Sequence, residues 1–257
     1  MLHDPERTKA AVVRWIQDYF AQNAPNAAAV IGISGGKDSS VAAALCVEAL
    51  GERRVIGVTM PDGVQPDLAD SHRLLTHLRL PHIEINIRSV REAFVDALTG
   101  NPMFSAHCGR NDLTEQARIN LPPRIRMSVL YAVAQSLPTG GLVVNTCNRS
   151  EDYVGYSTKF GDAAGDFSPL AEFTVREVLQ LGRTLGLPES LLAKAPSDGL
   201  SGVTDEEKLG FSYTVLDDYL ETGICPDDGT RAKIERLHAK NLHKLQPIPR
   251  YQKSELD

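Results

Sequence analysis

Hydrophobic and polar positions change their spacing along this chain in a regular order. Behind Asp4-Pro5, a pair suited to an N-cap and first helical position, Val12, Val13, Ile16, Tyr19 and Phe20 recur on one helical face. That pattern predicts an amphipathic opening helix. Ala27 to Ile33 is short, apolar and closed by Gly35-Gly36, which suits a buried parallel strand, and a helix is expected from about Asp38 to Leu50. The alternation continues with a strand from Val55 to Thr59, a helix from about Pro66 to Leu80, a strand from His82 to Ile87 and a helix from about Ser89 to Leu98. This spacing implies βαβ units, right-handed crossovers and an α/β fold on a parallel sheet.

Thr99 to Leu113 is polar, carries Gly100, Pro102 and Gly109, and reads as an exposed, mobile connection. A helix from roughly Pro122 to Ser136, a strand from Leu142 to Thr146 and a helix from Thr174 to Leu185 are expected next. From Pro188 the pattern breaks into short segments at Pro196, Gly199, Gly202 and Gly210, before helices near Ser212 to Leu220 and Thr230 to Lys244. No internal repeat, low-complexity tract or linker interrupts the chain, so residues 1–257 read as one domain with a C-terminal helical elaboration.

Composition adds exclusions. At 42 % hydrophobic and 23 % charged, the chain is ordinary globular material. A net charge of −6 and a pI near 5.7 argue against a nucleic-acid partner, because phosphate binding needs clustered Lys and Arg. Cys46, Cys108, Cys147 and Cys225 are far apart, without a C-x-x-C pair for zinc, an iron–sulfur cluster or a redox dithiol, and read as buried free thiols. Charged Asp4, Glu6, Arg7 and Lys9 precede any apolar stretch, and no apolar run approaches the roughly 18 residues of a membrane span, so a cytosolic protein without a membrane partner is expected.

The chemistry is concentrated in Ser34-Gly35-Gly36-Lys37-Asp38-Ser39-Ser40, where a buried strand turns into a helix. Free backbone N–H groups and the positive end of the helix dipole meet there, which favours an anion. The glycines admit a phosphate close to the main chain, and Ser34, Ser39 and Ser40 add hydroxyl donors. Asp38 would repel phosphate unless a divalent cation lay between them, so Mg²⁺ is implied by charge. A Walker A loop fails on Ile31 and Asp38, and the dinucleotide G-x-G-x-x-G pattern is missing. A bare tight turn with Asp38 as helix cap is the alternative, less suited to so specific a string after a buried strand.

This string resembles the pyrophosphate-binding signature of the ATP pyrophosphatase superfamily, whose members cleave ATP between its α- and β-phosphates. From about Ile31 to Pro249 the chain is similar to ammonia-dependent NAD synthetases. The segments that carry the resemblance are Asn120 to Met127, Thr146 with Glu151, Gly155 to Asp162 with Asp166, Lys194 to Leu200 with Thr204 to Gly210, and His243-Lys244. Departures are Val175 where many members carry a Lys that reaches ATP phosphate, with Arg176 beside it as a substitute, Thr59 where Arg is frequent, Asn145 and Cys147 in place of glycines, and Ala163-Ala164 in place of a Gly-Gly pair.

The resemblance implies a five-stranded, doubly wound parallel sheet flanked by helices, with the strand Leu142 to Thr146 beside the first strand across the switch point. It implies ATP binding by Gly32, Ile33, Ser34, Gly35, Gly36, Lys37, Asp38, Ser39, Ser40, Gln65, Thr146 and Ser197. Asp38, Glu151 and Asp162 are the implied catalytic residues, and Asp38 and Glu151 share Mg²⁺. Arg124, Lys159, Asp166, His243 and Lys244 fall on positions that contact deamido-NAD, while Tyr153, Tyr156 and Phe160 read as core. The implied reaction is ATP-dependent amidation of deamido-NAD by ammonia through an acyl-adenylate, in a homodimer assembled through the helix holding Arg124 and Arg126. A tRNA-modifying ligase with the same loop and a catalytically weak nucleotide-binding homologue remain alternative readings at this level.

Overall fold

A computed structural model describes residues 1–65, 67–193 and 204–251. Helix α1 (Pro5–Asn23) opens where expected: the Asp4 carboxylate caps it by accepting from Arg7 N. It buries Val12, Ile16 and Phe20. Full burial of side chains the size of Ile16 and Phe20 contributes about 1.5–3 kcal/mol each.

Strands β1 (Ala28–Gly32), β2 (Val55–Thr59), β3 (His82–Glu84) and β4 (Gly141–Val143) pair in parallel in the order β3-β2-β1-β4. Chain order therefore runs outward from β1 to β3 and then reverses to place β4 on the other side of β1. That reversal is a topological switch point, where the flanking loops part and leave a crevice at the carboxyl ends of the strands.

Among the described residues the sheet has four strands rather than five. At its β4 edge a single parallel bridge, between Val144 and Phe167, forms among the described residues. Pro169, with no N–H, follows two residues later and cannot continue a ladder. β3 also stops short of Ile87: Ile87 N still donates to Pro61 O at 2.8 Å, but Pro61 has no N–H to extend the pairing.

Successive residues of β1 point to opposite faces, and both faces are covered. Ala29, Ile31 and Ile33 pack with Ile16, Phe20 and the buried face of α2 (Lys37–Leu50), while Val30 packs with Val58, Ile87 and Ile125. Helices α3 (Leu68–His77) and α4 (Arg88–Thr99) lie near their expected positions. The stretch read as a connection contains α5 (Pro102–Cys108), capped by Asn101, whose side chain accepts from Met103 N. Asn-Pro is a turn signal and also a cap followed by a first helical residue, and here the second use applies.

Helix α6 (Glu115–Ser136) begins well before Pro122, because the Thr114 hydroxyl caps it by accepting from Ala117 N. Pro122 and Pro123 lie inside it. Each removes one helical N–H, but burial of Leu121, Pro122 and Ile125 holds the helix against the sheet. Beyond β4, the short helix α7 (Arg149–Val154) was not anticipated. Helix α8 (Val175–Thr184) has the expected Thr174 start, reinforced by a capping box with Glu177.

Helices α9 (Glu189–Leu192), α10 (Asp205–Leu209), α11 (Tyr213–Thr222) and α12 (Asp228–Asn241) complete the C-terminal elaboration. Val154, Val175, Leu209, Phe211, Tyr213, Leu216 and Ile234 form its separate apolar cluster. The cysteines are free; Cys46 and Cys147 are buried as expected, but Cys108 is exposed and Cys225 half-buried. No described helix is long and apolar enough to cross a membrane.

Candidate active site

A cavity of about 350 Å³ opens over the carboxyl ends of β1, β2 and β4, at the switch point. Its floor is the turn Ser34-Gly35-Gly36. Gly35 has φ +79°, and a Cβ there would meet Asp70 Cβ and Ser71 N at 2.9 Å, so glycine is required sterically as well as conformationally. Gly36, not Asp38, is the N-cap of α2, and no side chain caps that helix. Its first-turn N–H groups are therefore left for an external anion.

The hydroxyls of this turn divide their work. Ser34 Oγ lies 3.1 Å from Ser39 Oγ, and both face the cavity. Ser40 Oγ donates to Gly36 O at 2.7 Å and is fully buried, so it braces the turn. Of the expected nucleotide residues, Gly32, Ile33, Ser34, Gly36, Lys37, Asp38, Ser39, Gln65 and Thr146 line the cavity; Gly35 and Ser40 support it from behind. Ser197 lies outside the described residues.

Two carboxylates from different strand ends converge here. Lys37 Nζ donates to Asp38 Oδ2 at 2.8 Å, and Asn148 Nδ2 donates to Asp38 Oδ1 at 2.9 Å. Asn148 also forms a capping box with Glu151, accepting from Glu151 N at 3.0 Å, which holds the second carboxylate at the start of α7. Burial and then the Asp38 charge push the Glu151 carboxyl well above the carboxylate range, with Lys37 acting against them. Burial also opposes the charge of Lys37, yet Asp38 and Glu151 overcome it and hold the ammonium above its ordinary pKa.

This pair suits a hard divalent cation. Asp38 and Glu151 offer oxygen donors, and a cation between them would relieve the repulsion that raises the Glu151 carboxyl, while among the described residues no group of three or more His, Cys, Asp or Glu converges to hold a metal alone. A Mg²⁺ ion would therefore complete its shell with phosphate oxygens and water, its usual preference.

Asp162 also lines the cavity, its Oδ1 accepting from Thr158 N at 2.6 Å. Burial raises its carboxyl pKa, against the hydrogen bond from Thr158 and the charges of Lys244 and Arg126. The residues expected at deamido-NAD gather beside this wall. Lys159 Nζ donates to His243 O at 2.7 Å, and Arg124 Nε donates to Lys159 O at 3.4 Å. Lys244 Nζ donates to Gly155 O and Ser157 O, both at 2.7 Å, and shares a neighbouring groove with Asp166. Asp166 is bound into the fold: its Oδ2 accepts from Val143 N at 2.7 Å and its Oδ1 from Tyr131 Oη at 3.3 Å.

The departures are legible in place. Val175 is buried in the C-terminal cluster, and Arg176 pairs with Asp218 at 2.6 Å and does not line the cavity, so it is no substitute there for a lysine. Thr59 is buried on the cavity wall and donates to Glu84 Oε2 at 3.3 Å. Asn145 donates to Asp162 O at 3.1 Å and accepts from Cys147 N at 3.0 Å, knitting the loop that glycines would otherwise form. Tyr153 and Tyr156 pack against the C-terminal cluster, but Phe160 is 55 % exposed with φ 59° and is not core.

Sequence reasoning passed over Arg126, Asn148 and Asp205 as site residues. Arg126 lines the cavity and donates from Nε to Met60 O at 3.1 Å; buried Asp205 accepts from Tyr156 Oη at 2.9 Å beside Glu151. The spacing Asn148-x-x-Glu151 is a readable capping signal, whereas Asp205 is brought in by tertiary packing alone.

An uncapped helix start behind a Gly-Gly turn, faced by paired carboxylates at a switch point, defines an α/β nucleotide-phosphate-binding protein. A family model described as NAD synthase matches residues 8–255, and the chain belongs to that family. It is 40 % identical over 215 residues to the NH(3)-dependent NAD(+) synthetase of Methanococcoides burtonii, covering 82 % of this chain and 76 % of that one. Identity to the NH(3)-dependent NAD(+) synthetase of Carboxydothermus hydrogenoformans is 35 %, over 93 % of this chain and 94 % of the relative.

Among solved structures it is similar to an NMN synthetase from Francisella tularensis, with TM-score 0.84, 33 % identity and coverage of 97 % and 99 % of the two chains. An NH3-dependent NAD synthetase from Campylobacter jejuni superposes with TM-score 0.76 at 27 % identity, covering 98 % of this chain and 100 % of that one.

Proposed function

We propose that this chain is a ligase that amidates deamido-NAD with ammonia, converting ATP to AMP and pyrophosphate. The observation that carries the reading is the meeting of Asp38 and Glu151 over the uncapped start of α2, within a switch-point cavity. The nicotinate carboxylate attacks the α-phosphorus of ATP and pyrophosphate leaves. Ammonia then attacks the carbonyl carbon of the acyl-adenylate, AMP leaves with the acyl C–O bonding pair, and the nitrogen loses a proton to give the amide.

A free carboxylate is a poor acyl donor, so the adenylate supplies the leaving group. The chain's own part is positioning and charge compensation: the α2 N–H groups and Lys37 face the phosphates, while Asp162 and Arg126 border the acyl end. Asp38 and Glu151 would hold Mg²⁺, which when bound supplies charge neutralisation at the phosphates. Arg124, Lys159, His243 and Lys244 are the cationic and polar groups for the dinucleotide, with Asp166 holding the β4 end in place.

The protein is cytosolic and works as one domain in a homodimer. Exposed Val90, Phe94, Met103 and Ile119, from α4 through α6, supply apolar surface on the side of the molecule that carries the Arg124 helix.

The likeness to an NMN synthetase supports a second reading, in which nicotinate mononucleotide is the acid substrate. The test is the kcat/KM of purified protein with each acid at saturating ATP, Mg²⁺ and ammonium. A higher value for deamido-NAD is expected; preference for the mononucleotide would replace the substrate and keep the mechanism.

A further inference from the structure

Tyr213 begins α11 and is 3 % exposed, yet its hydroxyl has no hydrogen-bond partner among the described residues. A buried hydroxyl without a partner forfeits its hydration, so such groups in native proteins point to something that completes them. The rest of the residue is tightly held. Its N–H donates to Glu206 Oε1 at 2.8 Å, and its ring packs with Phe211, Leu209 and Leu216. The ring also faces Lys37, whose Nζ is 5.6 Å from its centroid. Tyr213 is therefore seated beside the cation of the phosphate turn, just behind the residues that line the cavity.

None of the nearby carboxylates accepts from this hydroxyl. Asp38 is bonded by Lys37 and Asn148, and Asp205 accepts from Tyr156. An anion drawn to Lys37 and the start of α2 would bring fresh acceptor oxygens to this corner. Burial, followed by the charges of Glu151, Asp205 and Asp38, pushes the phenol pKa upward, so the group stays a donor at any physiological pH.

We propose that Tyr213 is a nucleotide-binding residue whose hydroxyl donates to a β- or γ-phosphate oxygen of bound ATP, and that it stays unsatisfied until that phosphate arrives. This rests on the ATP-dependent reading of the same cavity. It also makes the C-terminal elaboration part of the phosphate site. Through Glu206, Tyr213 is joined to α10, and the adjacent Asp205 on that helix reaches the cavity.

The test is Tyr213→Phe, with Phe211→Leu as a packing control from the same cluster. Titration calorimetry with Mg-ATP and with Mg-pyrophosphate is combined with thermal unfolding of the free proteins. Removing a donor that has no partner should leave the free protein's Tm unchanged or raise it by about 2–4 °C. Affinity for both phosphate ligands should fall about tenfold or more, the loss of one hydrogen bond to a charged acceptor.

Phe211→Leu should lower Tm while leaving ligand affinity intact. Unchanged affinity in Tyr213→Phe, a lowered Tm of its free form, or an equal affinity loss in Phe211→Leu would each overturn the proposal. Failure of the unmodified protein to bind Mg-ATP would instead remove the nucleotide reading, and Tyr213's role with it.

Discussion

Asn148 Nδ2 lies 2.9 Å from Asp38 Oδ1, joining the loop after β4 to the first turn of α2 across the switch point. The same side chain accepts from Glu151 N, so one buried amide orients both carboxylates of the site. Its two ends have opposite hydrogen-bonding character, which neither Asp nor Leu can reproduce.

Asn148→Ala is expected to raise the Mg²⁺ concentration for half-maximal activity by about 10–100-fold, as for other partners that orient metal ligands. Loss of the α7 cap should also cost about 1 kcal/mol of stability. A Mg²⁺ activation curve and a urea unfolding curve check the two effects. An unchanged activation curve would mean that Asn148 serves only as a cap.

Gly35→Ala should damage the turn from two directions. The positive φ alone costs about 1–2 kcal/mol for a residue with a Cβ, and the Asp70 and Ser71 contacts at 2.9 Å force α3 to shift. The expected result is a Tm lowered by several degrees and Mg-ATP binding lost in calorimetry. Gly51→Ala shares the positive φ but meets nothing within 4 Å, so it should lose stability and keep binding.

Asp152 gives a pH-dependent stability with a definite sign. Burial, then the neighbouring Asp162 charge, raises its carboxyl from 3.8 to about 6 in the folded protein. The folded state therefore binds its proton more tightly than the unfolded chain. This favours folding below about pH 4 and is lost as pH rises through about 6. In metal-free protein, Asp152→Asn should be more stable than the parent at pH 7, with the difference shrinking toward pH 4. Thermal melts across that range measure it, and a difference that grows on acidification would contradict the assignment.

The nitrogen donor can be tested by pH as well. At fixed total ammonium, the rate should rise from pH 7 to 9, because the share of NH₃ grows about tenfold per pH unit well below the ammonium pKa. Glutamine free of ammonia should give no product. Equal rates with the two donors would contradict an ammonia-dependent reaction.

The strand–helix alternation was legible because both faces of β1 and β2 are buried, leaving continuous apolar runs bounded by glycine. The first carboxylate and the phosphate turn were legible because they are contiguous in the chain. Pro122-Pro123 misled the reading of α6, since a helix start is where proline is least costly, while the real start is set by Thr114. Asp205 could not be read as a site residue from periodicity: it reaches the cavity from the start of α10, whose Leu209 packs into the C-terminal cluster, and sequence periodicity carries no information about that packing. Phe160 looked like core from its chemistry, but the left-handed backbone at that position turns the ring outward.

The most direct test of the account is the stoichiometry of one reaction. Purified protein is incubated with ATP, Mg²⁺, ammonium chloride and deamido-NAD, and NAD, AMP and pyrophosphate are quantified together, with Asp38→Asn run in parallel. Equal amounts of the three products are expected, with AMP formation that requires the acid substrate and a rate for Asp38→Asn lower by about 10²-fold or more with the fold retained by circular dichroism. Release of ADP and orthophosphate in place of AMP and pyrophosphate, or full activity in Asp38→Asn, would contradict it.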